Sequence, residues 1–231
     1  GILQQQNPEI EGDTIVYQYR NPIALPPADN TWNIAAHNLK WGTHKTFPIT
    51  NSDQENPDVA AGRVAYESSQ SGNGDIYVLD LREASTGSAR LIGSGPATQE
   101  RPRVSASHVV WKNLATDGLE YWDFDAQAMS VVPESTGVEY WDVDGDMVVF
   151  SVAGSPVDTL WSWRLGEMAY PEEIYPGYSP LADHPSIDHV RLHAKRAYIG
   201  VSGFSTARTL LLDVRTHTRL GVADFSEQTR P

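Results

Sequence analysis

The chain has 231 residues and no cysteine, and its 30 acidic residues outnumber its 17 lysines and arginines to give a formal net charge of −13. Without cysteine there is no disulfide, thiolate metal site or thiol nucleophile. The charge argues against nucleic acid as a partner, because binding to phosphates needs clustered lysine and arginine, and no apolar run is long enough to span a bilayer as a helix.

A segment that contains a proline, a short spacer and three apolar or aromatic residues recurs along the chain. Clear copies begin around Pro8, Pro57 and Pro102, and weaker copies lie at Trp141 and Val190. The copies follow one another about every 45 residues, a period typical of solenoids and propellers. The sequence therefore predicts one repeated structural unit rather than unrelated elements.

Two further runs of aliphatic and aromatic residues follow in each repeat. The first set comprises residues 32–39, 75–81, 119–124, 160–165 and 209–214, and the second lies near Phe47, Leu91, Val131, Ile174 and Leu220. Clusters of Gly, Pro, Asn, Asp and Ser bound these runs, which indicates strands. Together with the extended piece after each proline position, each repeat supplies about four short antiparallel strands, the content of one propeller blade.

We therefore predict an all-β chain, a single-domain β-propeller of four-stranded antiparallel blades, with five blades. The predicted blades are residues 4–50, 51–96, 97–136, 137–180 and 181–226. Residues 227–231 resemble the opening of another repeat, so they either pair with the first blade as a closing strand or begin a further blade. We favour the closed five-bladed ring, because an open propeller leaves unpaired sheet edges.

Local features agree with this arrangement. Gly12-Asp13, Ala61-Gly62 and Gly145-Asp146 lie between the first two strands of their repeats, where a tight hairpin needs residues that tolerate positive φ. One position at the end of the second strand is occupied by large apolar side chains that we expect to pack between blades: Tyr17, Tyr66, Trp111, Phe150 and Ile199.

The stretch from Pro57 to Leu81, and above all Gly72 to Tyr77, resembles the TolB-like, PD40-type propeller repeats of bacterial and archaeal periplasmic and cell-surface proteins. The resemblance covers essentially the whole chain and is strongest in the first three repeats. The resemblance implies a β-propeller and an extracytoplasmic location, and it does not imply catalysis in the propeller itself. The peptidases of this group carry their chemistry in a hydrolase domain, and no G-x-S-x-G elbow opening a helix is present here.

The first functional hypothesis is a non-catalytic module that binds a protein or a glycan. The longer stretches between the second and third strands of each repeat are the expected binding loops, and Asn73 and Asp75 lie at the end of one of them. Trp122, Trp161 and Trp163 in the third strands are the aromatic candidates, because aromatic surfaces bind sugar rings and peptides well.

Two alternatives stay open. A five-bladed glycoside hydrolase would place an acid and a base or nucleophile at innermost strand positions, where Glu9, Asp58 and Asp142 are the available carboxylates and Arg103 takes the same place in the third repeat. A structural subunit of a surface layer or filament would instead self-assemble, with residues 227–231 adding a strand to a neighbour. We assign no catalytic residue.

Metal binding has a candidate in Asp142, Asp144 and Asp146, which strand alternation would place on one face. An EF-hand-like loop from Asp142 would need glycine where Met147 stands and glutamate where Ala153 stands. Asp80, Asp123 and Asp213 recur at equivalent places, where aspartate serves turns. We therefore expect these aspartates to be structural and expect no metal and no cofactor.

Overall fold

The structure is a computed structural model that describes residues 4–20, 31–47, 52–82, 89–154, 158–167, 169–175, 186–202, 207–216 and 218–225. These residues form five antiparallel sheets of four strands each, in which every strand pairs with its neighbours in chain order. No α-helix occurs in the described part of the chain, and hence none that could cross a membrane. The predicted all-β class and the four-stranded blades are confirmed.

The first three sheets come from the three clearest repeats. Sheet 1 contains β1 (Gln4–Glu11), β2 (Thr14–Arg20), β3 (Asn33–Asn38) and β4 (Thr43–Phe47). Sheet 2 contains β5 (Gln54–Ala60), β6 (Arg63–Ser68), β7 (Asp75–Asp80) and β8 (Arg90–Gly93). Sheet 3 contains β9 (Gln99–Val104), β10 (His108–Asn113), β11 (Gly118–Asp123) and β12 (Ala128–Val131).

The two weaker repeats form sheets of the same kind. Sheet 4 contains β13 (Val138–Asp144), β14 (Met147–Val152), β15 (Thr159–Arg164) and β16 (Glu172–Tyr175). Sheet 5 contains β17 (Ser186–His193), β18 (Arg196–Ser202), β19 (Ala207–Asp213) and β20 (Thr218–Phe225). The loss of the proline from the fourth repeat therefore does not remove its first strand.

The first two strands of sheets 1, 2 and 4 are joined by the tight turns that the sequence predicts, and sheet 5 has a further turn of this kind. In sheet 2, Ala61 and Gly62 have φ values of 50° and 75°, and in sheet 5, Ala194 and Lys195 have values of 49° and 64°. Two consecutive residues with positive φ are the signature of a type I′ hairpin turn, whose twist matches that of the flanking strands. Gly145 opens the corresponding turn of sheet 4 with φ of 60°.

A shift in strand register recurs near the start of every first strand. In the first three repeats it includes the residue before the proline, and Asn7, Asn56 and Arg101 have φ values of 49°, 50° and 50°. Sheets 4 and 5 have corresponding shifts between Val138 and Tyr140 and between Ile187 and His189. Each shift bends the strand and leaves a residue outside the regular ladder.

The chain divides into two compact units. The first comprises residues 1–116 and 120–130 and contains sheets 1 and 2 and most of sheet 3, while the second comprises residues 117–119 and 131–231 and contains sheets 4 and 5. The prediction of a single domain stays a prediction. So does the closing strand at residues 227–231, because residues 226–231 lie outside the described part.

Each unit has an apolar core between its sheets. The large side chains predicted to pack between blades are almost completely buried at Tyr66, Trp111, Phe150 and Ile199. Tyr17 of sheet 1 is the exception: it is half-exposed, and its hydroxyl lies 2.9 Å from Nε2 of His44. Tyr66, Trp111 and Ile199 belong to clusters that join neighbouring sheets within a unit, so the shared position serves inter-sheet packing in these three repeats.

Candidate functional site

Two of the carboxylates suggested for catalysis connect neighbouring sheets. Oδ2 of Asp58 in sheet 2 accepts a hydrogen bond from the backbone N–H of Val104 in sheet 3, at 2.7 Å. Oδ2 of Asp142 in sheet 4 accepts one from the backbone N–H of Leu192 in sheet 5, also at 2.7 Å. Both aspartates are buried. The same repeat position thus performs the same inter-sheet contact in each unit.

The third of these carboxylates has an opposite charge close by. Oε1 of Glu9 in sheet 1 lies 3.3 Å from Nη1 of Arg103 in sheet 3, and both side chains are about three-quarters buried. Arg103 occupies in the third repeat the position that Glu9 and Asp58 occupy in the first two. An ion pair across the first unit therefore takes up this carboxylate. A catalytic role for Glu9, Asp58 and Asp142 stays the open alternative that it was in the sequence analysis.

The three aspartates considered for a metal make separate contacts. Asp144 accepts a hydrogen bond from the backbone N–H of Ala194 at 2.6 Å, on the side where Asp142 contacts Leu192. Asp146 lies in the turn beyond the strand and approaches Arg164 at 3.4 Å. Within the described ranges, no group of three or more histidine, aspartate or glutamate side chains is placed to hold a metal ion.

Asn73 and Asp75 hold the loop before β7 in place. The side-chain amide of Asn73 donates to the carbonyls of Gly95 and Ala97, each at 2.9 Å, which ties this loop to the connection that leads into sheet 3. Asp75 is 2% exposed and accepts a hydrogen bond from the Ser71 hydroxyl. Because this carboxylate is buried, little of its surface is accessible to a ligand. A binding role for Asn73 and Asp75 stays a prediction.

The three candidate tryptophans occupy different surroundings. The guanidinium carbon of Arg90 lies 4.9 Å from the ring centroid of Trp122, in the first unit. In the second unit, the indole N–H of Trp161 donates to Oγ1 of Thr159 at 2.8 Å. Trp163 is buried, and it is the candidate that borders a cleft.

This cleft lies within the second unit and has a volume of about 300 Å³. The lining residues are Met147, Ser162, Trp163, Arg164, Glu167, Ala169, Tyr170, Glu172, Val214 and Arg215. Its floor is one face of sheet 4, because the register sets Met147 opposite Arg164 and Ser162 opposite Glu172. Val214 and Arg215, which follow the third strand of sheet 5, form the other side.

The wall made by residues 164–167 and 169–170 is fixed by a turn and an indole. The N–H of Glu167 donates to the carbonyl of Arg164 at 3.1 Å, and Gly166 has φ of 84°, the positive value that the third residue of a type II turn requires. The indole N–H of Trp163 donates to the carbonyl of Ala169 at 2.6 Å. Trp163 therefore positions the wall, while its own side chain is only 6% exposed.

The cleft offers charge and an aromatic surface together. Arg164 lies 3.4 Å from both Asp146 and Glu167, so its charge is balanced on two sides. Tyr170 is 76% exposed, and Arg215 has 61% of its side chain exposed. A preformed concavity with a few polar groups beside an aromatic ring can hold a side chain or a short segment of a ligand.

Sequence reasoning named Trp163 as a candidate but did not name Tyr170 or Arg215, which also line the cleft. Tyr170 lies in the segment between the third and fourth strands, outside every repeated motif, so no periodic pattern singles it out. Arg215 stands two residues after Asp213, in the same relation as Arg82 to Asp80. That repeated Asp-x-Arg pattern is the signal in the sequence that points to this side of the cleft.

No protein-family model matches the sequence, and no curated protein matches it. Solved structures do resemble the chain. TolB from Acinetobacter baumannii superposes with a TM-score of 0.62 and 16% identity, over 94% of this chain and 54% of that one. The present chain thus spans about half the length of the TolB structure.

Two other solved structures match this chain over most of their own length. A chain of the nidogen–laminin complex gives a TM-score of 0.59 and 11% identity, over 98% of this chain and 82% of that one. The β-propeller domain of the Trilobed protease from Pyrococcus furiosus gives a TM-score of 0.53 and 10% identity, over 97% of this chain and 83% of that one. At these identities the similarity establishes the fold alone, and that fold is a β-propeller.

Proposed function

We propose that this chain is a non-catalytic β-propeller that binds a segment of a partner protein in the cleft of its second unit. The observation that carries the proposal is the cleft itself, where exposed Tyr170 and Arg215 stand over a floor that includes Met147. Tyrosine, tryptophan, arginine and methionine are the residues enriched at protein interfaces. A glycan would be the ligand of the competing interpretation.

The size of the cleft favours one anchoring side chain of the partner. About 300 Å³ is at the lower end of the range of ligand pockets. An apolar side chain of the partner would contact Met147 and the ring of Tyr170, and the charged groups around them would fix its neighbours. The wall is already held by the Trp163 indole and by the ion pair of Arg164 with Glu167, so little ordering is needed on binding.

Two further points support the wider proposal that the chain is a member of the TolB-like repeat family and acts outside the cytoplasm. The repeat motif from Pro57 to Leu81 resembles that family, and the fold is similar to that of TolB. The nidogen–laminin structure, which is a complex, is another neighbour in fold. Localisation of the tagged protein by cell fractionation tests the second point, and recovery in the cytoplasm would contradict it.

Selection of peptides from a random displayed library on the immobilised protein tests the binding proposal. We expect Tyr170→Ala to weaken binding of the selected peptides by about 30-fold, the scale of an aromatic hot spot. Trp41→Ala is the matched control, because Trp41 is 71% exposed but lies in the first unit. The proposal would be refuted if no peptide were selected, or if Tyr170→Ala and Trp41→Ala weakened peptide binding equally. Binding of glycans from a panel, without binding of peptides, would also refute it.

A further inference from the structure

Arg215 of sheet 5 has a counterpart in Arg82 of sheet 2, and the two arginines can be compared by the contacts that they make. Asp80 and Asp213 are the last residues of the third strands of sheets 2 and 5, and Arg82 and Arg215 follow two residues later. In both pairs the arginine side chain is 61% exposed and the aspartate side chain is 21% exposed. The two pairs are therefore matched in sequence pattern, position and exposure.

The two guanidinium groups nevertheless make different contacts. Nε of Arg82 donates to Oδ1 of Asp80 at 2.9 Å, and Nη2 donates to Oδ2 at 2.5 Å, so the arginine closes on its own aspartate with both arms. Nε of Arg215 lies 3.9 Å from Oδ1 of Asp213, beyond hydrogen-bonding distance. Oδ1 of Asp213 accepts the backbone N–H groups of Arg215 and Thr216, much as Oδ1 of Asp80 accepts the backbone N–H of Arg82. The difference between the two pairs therefore lies in the guanidinium contacts alone.

The remaining charged groups of the cleft do not replace the lost contact. The carboxylate of Glu167 pairs with Arg164, and Arg164 also pairs with Asp146. In the part of the chain that the structure describes, Asp213 is the only carboxylate that comes within 4 Å of the Arg215 guanidinium. The planar fork of an arginine matches a carboxylate with two parallel hydrogen bonds.

We propose that Arg215 receives a carboxylate of the partner segment, so that the cleft selects segments in which an acidic residue neighbours the anchoring apolar side chain. This inference rests on the proposed function and names the chemistry of its ligand. Specificity comes from position: the chain is strongly acidic overall, so an acidic segment gains from Arg215 only where its carboxylate reaches this one guanidinium.

Parallel selections from the same displayed peptide library test the inference on wild type, Arg215→Gln and Arg82→Gln. Wild type and Arg82→Gln should select peptides enriched in Asp or Glu at one position, and Arg215→Gln should not. A selected peptide synthesised with that acid, and again with the corresponding amide, should bind wild type about fivefold more tightly in the acidic form. The difference should shrink at high salt and vanish in Arg215→Gln.

The outcomes separate this inference from the proposal beneath it. Peptides that depend on Tyr170 but show no preference for Asp or Glu would overturn the role of Arg215 and leave cleft binding intact. The role of Arg215 would also be overturned if Arg215→Gln still selected peptides enriched in Asp or Glu. It would likewise be overturned if Arg82→Gln lost this enrichment as completely as Arg215→Gln. If no peptide is selected at all, both the inference and the proposed function are refuted.

Discussion

Removal of the Asp58 carboxylate should destabilise the first unit by an amount that the structure allows us to work out. Asp58 is 9% exposed, and its Oδ2 accepts the N–H of Val104, which is itself buried. A hydrogen bond to a charged group contributes about 1.5–3 kcal/mol, and a buried donor left without an acceptor costs about 1–3 kcal/mol. We therefore expect Asp58→Ala to lose about 2 kcal/mol of unfolding free energy.

Asp58→Asn separates the hydrogen bond from the charge. The amide keeps an oxygen at the same place, so Val104 retains an acceptor, and the expected loss is about 1 kcal/mol, the difference between a charged and a neutral hydrogen bond. Urea unfolding followed by tryptophan fluorescence measures both variants. Hydrogen exchange at the Val104 amide gives the local effect, which for 2 kcal/mol is about 30-fold faster exchange in Asp58→Ala.

A surface aspartate provides the control for this prediction. Asp125 is exposed, and Asp125→Ala should change stability by less than about 0.5 kcal/mol. Equal stability of Asp58→Ala and wild type, or an unchanged exchange rate at Val104, would refute the structural role. That result, together with any hydrolytic activity lost in Asp58→Asn, would favour the glycosidase alternative.

Other predictions concern packing and pH. A Cβ on Gly93 would lie 2.8 Å from the buried Trp111 ring, so Gly93→Ala should cost about 1–3 kcal/mol in thermal unfolding, whereas Gly95→Ala meets only the flexible end of a side chain. Burial raises the pKa of Glu67, so Glu67→Gln should stabilise the protein at pH 7 and lose this advantage below about pH 4. The Arg82 hydrogen bond lowers the pKa of Asp80, so Asp80→Asn should destabilise at pH 7, with the difference disappearing as the pH falls through that lowered pKa. If Glu67→Gln and Asp80→Asn changed the stability at pH 7 in the same direction, the causes assigned to the two pKa shifts would be contradicted.

The repeat predicted the sheets because strand formation depends on local patterns. Apolar runs bounded by turn residues placed the second, third and fourth strands of each described sheet close to their observed positions. The first strands of sheets 1 to 3 differ from the prediction, because they begin before Pro8, Pro57 and Pro102 rather than after them. The turn at Ala61-Gly62 was readable because positive φ restricts residue choice. Even the fourth repeat, which lacks the proline, could be aligned, because its strand ends in the same kind of apolar and aromatic residues at Val148 to Phe150.

The contacts of the site could not be predicted in the same way. Asp58 and Asp142 bond to backbone N–H groups, and a backbone group leaves no trace in the identity of Val104 or Leu192. A carboxylate at the start of a strand therefore suggests chemistry as readily as structure. The cleft combines residues from two successive repeats, and Tyr170, which is 76% exposed, lies where the repeats have no common pattern.

The contact made by Asp58 implies a prediction for the other unit. Asp142 is 8% exposed and meets Leu192 at the same distance of 2.7 Å, although the two aspartates belong to different units. If the repeat position rather than the surroundings determines the contact, Asp142→Ala should accelerate exchange of the Leu192 amide about as much as Asp58→Ala does for Val104, and asparagine should restore about half of the loss. If amide exchange accelerated strongly at one site and not at the other, the two aspartates would share the hydrogen-bond geometry but differ in how much that bond stabilises the protein.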